Sequence, residues 1–294
     1  MTRQLLTRAE AMAIIKQARN LGDVPNLQAA NLAKADLSGA DLRLANLAEA
    51  ILLEANLSKT DLTGANLSRA NLNEANLSWA NLRQANLTQA GLCWANLRYA
   101  VINETTQLDN KWRLIGEIVT EAEDSRDLRQ MDLSQADLRF VSLIGADLQQ
   151  AILTESDLHK ADLTDANLSH TELRRVNLSE AVLCRAAFIG SDLRRAGLGQ
   201  ANLNRADLQA ANLNESYLGM AILSNANLGE ADLSWANLSG ADLGRANLEG
   251  ANLTGTNLRW TYLYGANLRR AVYDDTTQWP ADFLPSVAGA VSVD

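Results

Sequence analysis

Two histidines, two cysteines and 35 acidic side chains are the material this 294-residue chain offers for acid–base, metal or thiol chemistry. The cysteines, Cys93 and Cys184, are far apart and form no C-x-x-C pair, so neither a disulfide framework nor a zinc site is spelled out. His159 and His170 stand alone, without neighbouring Cys or His at a metal-ligand spacing. No G-x-x-x-x-G-K-[ST] loop and no G-x-S-x-G elbow occurs. The acids recur mostly between an Ala and a Leu, as at Asp137 and Asp157, a placement that suits turn formation better than a catalytic pair. These residues predict no catalytic group, no metal site, no cofactor and no enzyme.

The element that must hold these residues is a repeat. From Leu27 every fifth residue is Leu up to Leu97, followed by Ile102; a second series runs from Leu128 to Leu268 and ends at Tyr273. Spans of 75 and 145 residues at a step of five give 16 and 30 units, 46 in all, with Leu at the centre of 43. Ala stands two residues before the centre in 34 of the 46, with Asn or Asp usually between, as in Ala65-Asn66-Leu67. A period of five fits neither a helix of 3.6 residues nor a strand of 2.0. Leucines so spaced share one environment only if the chain turns by a fixed angle every five residues and closes into stacked coils. Backbone groups then pair between coils rather than being buried alone.

The unit, A-(N/D)-L-x-x, resembles the pentapeptide-repeat family in the Leu-centred form common in cyanobacterial proteins. The resemblance covers about four-fifths of the chain. It implies an all-β solenoid, a right-handed quadrilateral parallel β-helix with four pentapeptides per 20-residue coil, here in two arrays with short capping and linker α-helices. Leu and Ala fill its axis and leave no internal pocket. Residues 1–24 are expected to cap the first coil, residues 25–104 to form the first array and 126–275 the second. Residues 105–125 are expected to link them through a short helix, and 276–294 to cap the end. Thr7-Arg8-Ala9-Glu10 is a capping box that starts a helix over about 8–20. In the linker, Trp112, Ile115, Val119 and Ala122 recur at helical spacing. Each array closes on one terminator, Ala100-Val101-Ile102-Asn103-Glu104-Thr105-Thr106-Gln107 and Ala271-Val272-Tyr273-Asp274-Asp275-Thr276-Thr277-Gln278. The final Ser-Val-Ala-Gly-Ala-Val stretch is expected to be disordered.

A 20-residue coil places outward side chains by arithmetic. His159 and His170 fall on opposite sides and cannot share a metal. Arg174 and Arg175 recur as Arg194 and Arg195 one coil later, flanked by Glu155, Glu172, Asp192 and Glu215. They form the weaker candidate, a site for an anion or an acidic partner, unless the carboxylates neutralise them. The stronger candidate is apolar. Met220 and Trp260 share one outward column, Ile222 and Tyr262 the next, and Tyr217 and Tyr264 lie close by. An exposed aromatic patch suggests a contact surface; cover by the C-terminal tail is the alternative. Trp79, Tyr99 and Trp94 form a smaller cluster that the linker helix could cover.

Composition narrows the function. With 47% hydrophobic and 21% charged residues the chain is neither disordered nor membrane-like. No apolar run reaches a membrane span, and the opening Met1–Arg8 carries no leader-like apolar region, so a cytoplasmic protein is expected. A net charge of -9 disfavours direct nucleic-acid binding. The expected function is a noncatalytic scaffold that binds an as yet unidentified protein along its outer faces, with exposed coil ends leaving a homodimer open. The family resemblance implies an alternative: some members mimic duplex DNA in shape and charge, bind DNA gyrase and protect it from quinolones.

Overall fold

The computed structural model describes residues 5–294; Met1–Gln4 of the expected N-terminal cap lie outside the described residues. The chain forms two compact units, up to Glu121 and from Ala122 onward. Each contains a right-handed β-helix whose rungs pair in parallel with the residue 20 further on, as Asn26 with Asn46 and Asp127 with Asp147.

One hydrogen-bonding scheme repeats through both units. The Leu N–H donates up one coil (Leu27 to Asn46 O, 2.8 Å), the next coil's Asn or Asp N–H donates back (Asn46 to Pro25 O, 2.9 Å), and each Ala N–H closes a turn onto the preceding Leu carbonyl (Ala30 to Leu27 O, 3.1 Å). The residue before Leu accepts through its side chain from the N–H two residues on, as Asn66 Oδ1 does from Ser68 at 3.1 Å. It also ties coils together, as Asn177 Nδ2 does by donating to Asp157 Oδ1 at 2.8 Å. The last residue of the unit turns the corner in the left-handed region, with φ near +60° even for Trp79, Trp235 and Trp260. That conformation costs an L-residue about 1–2 kcal/mol. Leu and Ala fill the axis: Leu203, Leu223 and Ala211 are wholly buried. Each inward Leu contributes roughly 1.5–3 kcal/mol, which offsets the corners.

In the first unit, α1 (Arg8–Leu21) begins at the capping box, where Glu10 Oε2 accepts from Thr7 N–H at 2.7 Å. It ends at Gly22, whose φ of 75° supplies the left-handed stop. Ala11 and Ile15 are buried, and Arg8 and Arg19 pair with Asp36 (3.1 Å) and Asp41 (3.5 Å) of the first array. Ahead of the helix, Leu5 bridges Asn31 and adds a rung. After the array comes α2 (Asn110–Thr120), which buries Trp112, Ile115, Ile118 and Val119. Arg113 donates to the terminator carbonyls of Asn103 (3.0 Å) and Thr106 (2.7 Å). Gly116 sits so close to Ile102 that a Cβ there would come within 2.9 Å of its Cδ1. Ala122, expected on the buried stripe, is exposed because the helix stops two residues earlier.

In the second unit the chain after the terminator folds back as a tail. Trp279 packs edge-on against Tyr273 (5.4 Å between centroids) and stacks on Phe283 (5.2 Å). The final stretch, expected to lack order, instead supplies a rung. Strand β1 (Val272–Tyr273) pairs in parallel with β2 (Val291–Ser292), and Val291 N–H donates to Ala271 O at 2.8 Å.

Outward Asp–Arg pairs make stability depend on pH. Hydrogen bonds from the side chains of Arg43 and Arg129 lower Asp41 and Asp127 to about 2. A carboxylate whose folded pKa is depressed contributes stability that is complete above its unfolded value near 4 and is lost as pH falls through about 2. Thermal melting followed from pH 5 to pH 2 should therefore drop more steeply for the natural chain than for a variant carrying Asp41→Asn and Asp127→Asn.

Candidate functional site

Among the described residues no group of three His, Cys, Asp or Glu side chains could hold a metal ion. His159 bonds Ser179 Oγ at 3.0 Å and meets the Phe140 ring edge-on, and His170 lies over Gly190. Cys93 and Cys184 are half-buried and form no disulfide among the described residues.

The arginine set does come together, and it comes with its carboxylates. Arg174 and Arg194 share Asp192 (2.6 and 2.7 Å), Arg175 meets Glu155 (3.1 Å) and Arg195 meets Glu215 (2.8 Å). These contacts, the Arg194 side chain first among them, hold Asp192 well below the usual carboxylate range. A shallow groove of about 460 Å³ runs over this face. Its guanidiniums are already engaged, so an incoming anion would compete with resident carboxylates.

The apolar set is built differently. Tyr217 lies flat on its face because the residues beneath are glycines: a Cβ at Gly199 or Gly219 would approach its ring atoms to 2.7 Å in each case. Met220 lies over Gly240 in the same manner. Tyr262 covers Gly244 and stacks on Tyr264 at 6.2 Å between centroids. Trp260 is 79% exposed, Tyr264 69% and Met220 65%. The tail aromatics pack on Tyr273, so the patch is open to solvent. A groove of about 320 Å³ lined by Asp242, Gly244, Arg245, Tyr262 and Tyr264 crosses it.

Reading the outward columns overlooked Trp235. It is 60% exposed at the corner beside the Tyr217 face and lies over Gly255, 20 residues on. The signal was present, since a large corner residue followed by Gly one coil later also marks Leu44 with Gly64 and Met220 with Gly240. The strip runs over two adjacent faces and the corner between them, which Met220 and Trp260 occupy, and Trp235 extends it to the far corner of the Tyr217 face. In the first unit Trp79 and Tyr99 stack at 4.3 Å and stay exposed, and the Tyr99 N–H donates to Thr120 Oγ1 of α2 at 3.2 Å.

The model of the family described as pentapeptide repeats matches this chain in overlapping segments within residues 26–106 and 132–270. The chain belongs to the pentapeptide repeat family. It is similar to the crystal structure of HetL, a pentapeptide repeat protein involved in heterocyst differentiation regulation from the cyanobacterium Nostoc sp. strain PCC 7120. Identity is 31% over 92% of this chain and 94% of that one, with a TM-score of 0.30. It is also similar to alr5209, another pentapeptide repeat protein of Nostoc, at 44% identity over 34% of this chain and 84% of that one, with a TM-score of 0.34. A third likeness, to the plasmid-mediated fluoroquinolone resistance protein QnrB1, has 15% identity over 79% of this chain and 86% of that one, with a TM-score of 0.37. No curated protein sequence matches the chain significantly. As a pentapeptide repeat protein it has an axis filled by Leu and Ala, and its outer faces carry the candidate residues. Among the described residues no helix is long and apolar enough to cross a membrane.

Proposed function

We propose that this pentapeptide repeat protein is a noncatalytic scaffold that binds a protein partner through the second array. The binding face holds Tyr217, Met220, Ile222, Trp260, Tyr262 and Tyr264, with Trp235 at its margin. One observation carries the reading: large apolar side chains, several of them over rungs cleared by glycine, lie exposed side by side on adjoining faces of the second array. Aromatic anchors of this kind dominate binding energy at protein interfaces. The reading places the protein in the cytoplasm, in keeping with two cysteines that form no disulfide among the described residues.

Cross-linking in the native cell followed by mass spectrometry names the partner; affinity measured with that purified partner tests the face. Trp260→Ala combined with Tyr262→Ala should weaken binding by roughly 2 kcal/mol or more, about thirtyfold. Arg174→Ala should leave it unchanged. An affinity untouched by the aromatic substitutions, or lost with Arg174→Ala alone, would refute the assignment. Gyrase mimicry has the net charge of -9 in its favour. Against it, outward acids such as Asp165, Asp192 and Glu215 are held by arginines. Strong inhibition of supercoiling at low protein concentration would promote that alternative.

A further inference from the structure

The last coil of the second array is closed on three of its four faces. Leu258 N–H donates to Gln278 O (2.7 Å), Arg270 N–H to Gly289 O (2.9 Å), and β2 covers β1. The remaining face, Thr261–Gly265, has no rung above it. One coil earlier, Leu243 and Arg245 donate to Tyr262 O (2.8 Å) and Tyr264 O (2.9 Å), and Ala241 O accepts from Tyr262 N–H. Their counterparts, the N–H groups of Leu263 and Gly265 and the carbonyl of Thr261, have no partner among the described residues. The core is open there as well: Leu263 and Ala266 are half-exposed. At the equivalent place in the first unit, where α2 follows the array, Leu92 and Ala95 are each 1% exposed.

Charge says what would fill the gap. Residues 250–273 contain no Asp or Glu, although acids outnumber bases 35 to 26 in the whole chain. Arg245 stands at the corner of the gap one coil earlier, Arg259 on the face before it and Arg269 and Arg270 on the face after it, all exposed. Among the described residues none of these four guanidiniums has an ion pair, whereas Arg174, Arg175, Arg185, Arg194 and Arg195 of the same unit each meet a carboxylate. Rings of Tyr262 and Tyr264 flank the rung.

We propose that the Leu263 rung is a docking edge for an extended, acidic segment of a protein partner. Such a segment would continue the β-helix by strand addition. Two of its carbonyls, two residues apart, would accept from Leu263 and Gly265. One apolar side chain would cover Leu263, and acidic residues on either side would meet the arginines. A second copy is a poorer fit, because its first coil is already sealed by α1 through Ala11 and Ile15. The proposal rests on the partner-binding reading above and gives that partner a chemistry.

The test titrates the ¹⁵N-labelled full chain with two synthetic peptides, Glu-Glu-Ala-Asn-Leu-Glu-Glu and Lys-Lys-Ala-Asn-Leu-Lys-Lys, and follows amide shifts by NMR. The acidic peptide should shift and protect the Leu263 and Gly265 amides and bind at least tenfold more tightly than the basic one. Arg259→Glu with Arg269→Glu and Arg270→Glu should abolish that preference while leaving the melting temperature near that of the natural chain. Equal binding of both peptides, or no shift at all, overturns the proposal. Shifts at Trp260 and Met220 that spare Leu263 and Gly265 also overturn it, yet leave the lateral partner surface standing. A doubled mass with those two amides protected before any peptide is added assigns the edge to a second copy and overturns it too.

Discussion

Leu203→Ala lowers the stability of the second unit by about 2–5 kcal/mol. Leu203 is wholly buried, and so are Leu183 below it and Leu223 above it in the same column. The void left by alanine has little chance to close. Rungs on both sides are fixed by Leu183 N–H to Asn202 O and Leu203 N–H to Ile222 O, each 2.7 Å, so the coils cannot settle toward one another. The cost therefore belongs at the upper part of the range for large-to-small changes. Leu203→Arg should do more, since a guanidinium on the axis meets only aliphatic carbon and carbonyls already in use. Neighbouring coils share their rung hydrogen bonds with the damaged one, and stability in a stacked solenoid passes between nearest neighbours. Gln209→Ala, at an exposed outward position, should stay within about 0.5 kcal/mol. Thermal and denaturant melting of the three variants checks the order; equal melting of Leu203→Ala and Gln209→Ala would contradict the inward and outward assignment.

The core was legible because a strict period leaves few geometries that keep Leu in one environment, and the side chains then follow by counting. The twin terminators were legible as well. Thr106 and Thr277 each donate to a core carbonyl, Leu82 O and Leu253 O, both at 2.9 Å. Gln107 and Gln278 each pair one residue out of the 20-residue register, with Asn86 and Asn257. What stayed hidden depends on backbone conformation and side-chain direction. Corner residues such as Ala210 and Arg175 adopt φ of 53° and 55°, which their types do not advertise. The direction in which they lean decided the site: Trp235 lies over Gly255, and a column of alternating large and small residues looks unremarkable until that lean is known. The Arg174–Arg195 cluster was visible as a set of like charges. Its pairing through one shared carboxylate, Asp192, needed coordinates. The rung made by β2 was missed because small, uncharged residues at a chain end carry little periodic signal, while the partner strand supplies the hydrogen bonds that order them.

Exceptions to Ala in the repeat carry their own prediction. Seven buried hydroxyls replace it, Thr60, Ser156, Thr171, Ser191, Ser216, Thr256 and Thr261, and every one donates to a Leu carbonyl. Ser156 reaches Leu153 O at 2.7 Å and Ser216 reaches Leu213 O at 2.6 Å, three residues back in each case. Ala206, 1% exposed, occupies the same place relative to Leu203. Ala206→Ser should thus be tolerated within about 1 kcal/mol, its new hydroxyl finding the carbonyl of Leu203. Ala206→Asp should cost several kcal/mol at pH 7, because a carboxylate accepts hydrogen bonds and this axis offers it carbonyl oxygens. Desolvation raises the folded pKa of such a group above its unfolded value of about 4. The protonated acid can donate as serine does, so the penalty is small below pH 4 and grows as pH rises through the raised pKa. Melting of Ala206→Asp relative to the natural chain should improve on going from pH 7 to pH 4, the reverse of the trend expected from the outward Asp–Arg pairs. A deficit of the same size at both pH values would mean that the site relaxes enough to admit water, and that the axis is not the dry, hydrogen-bond-saturated column on which the fold depends.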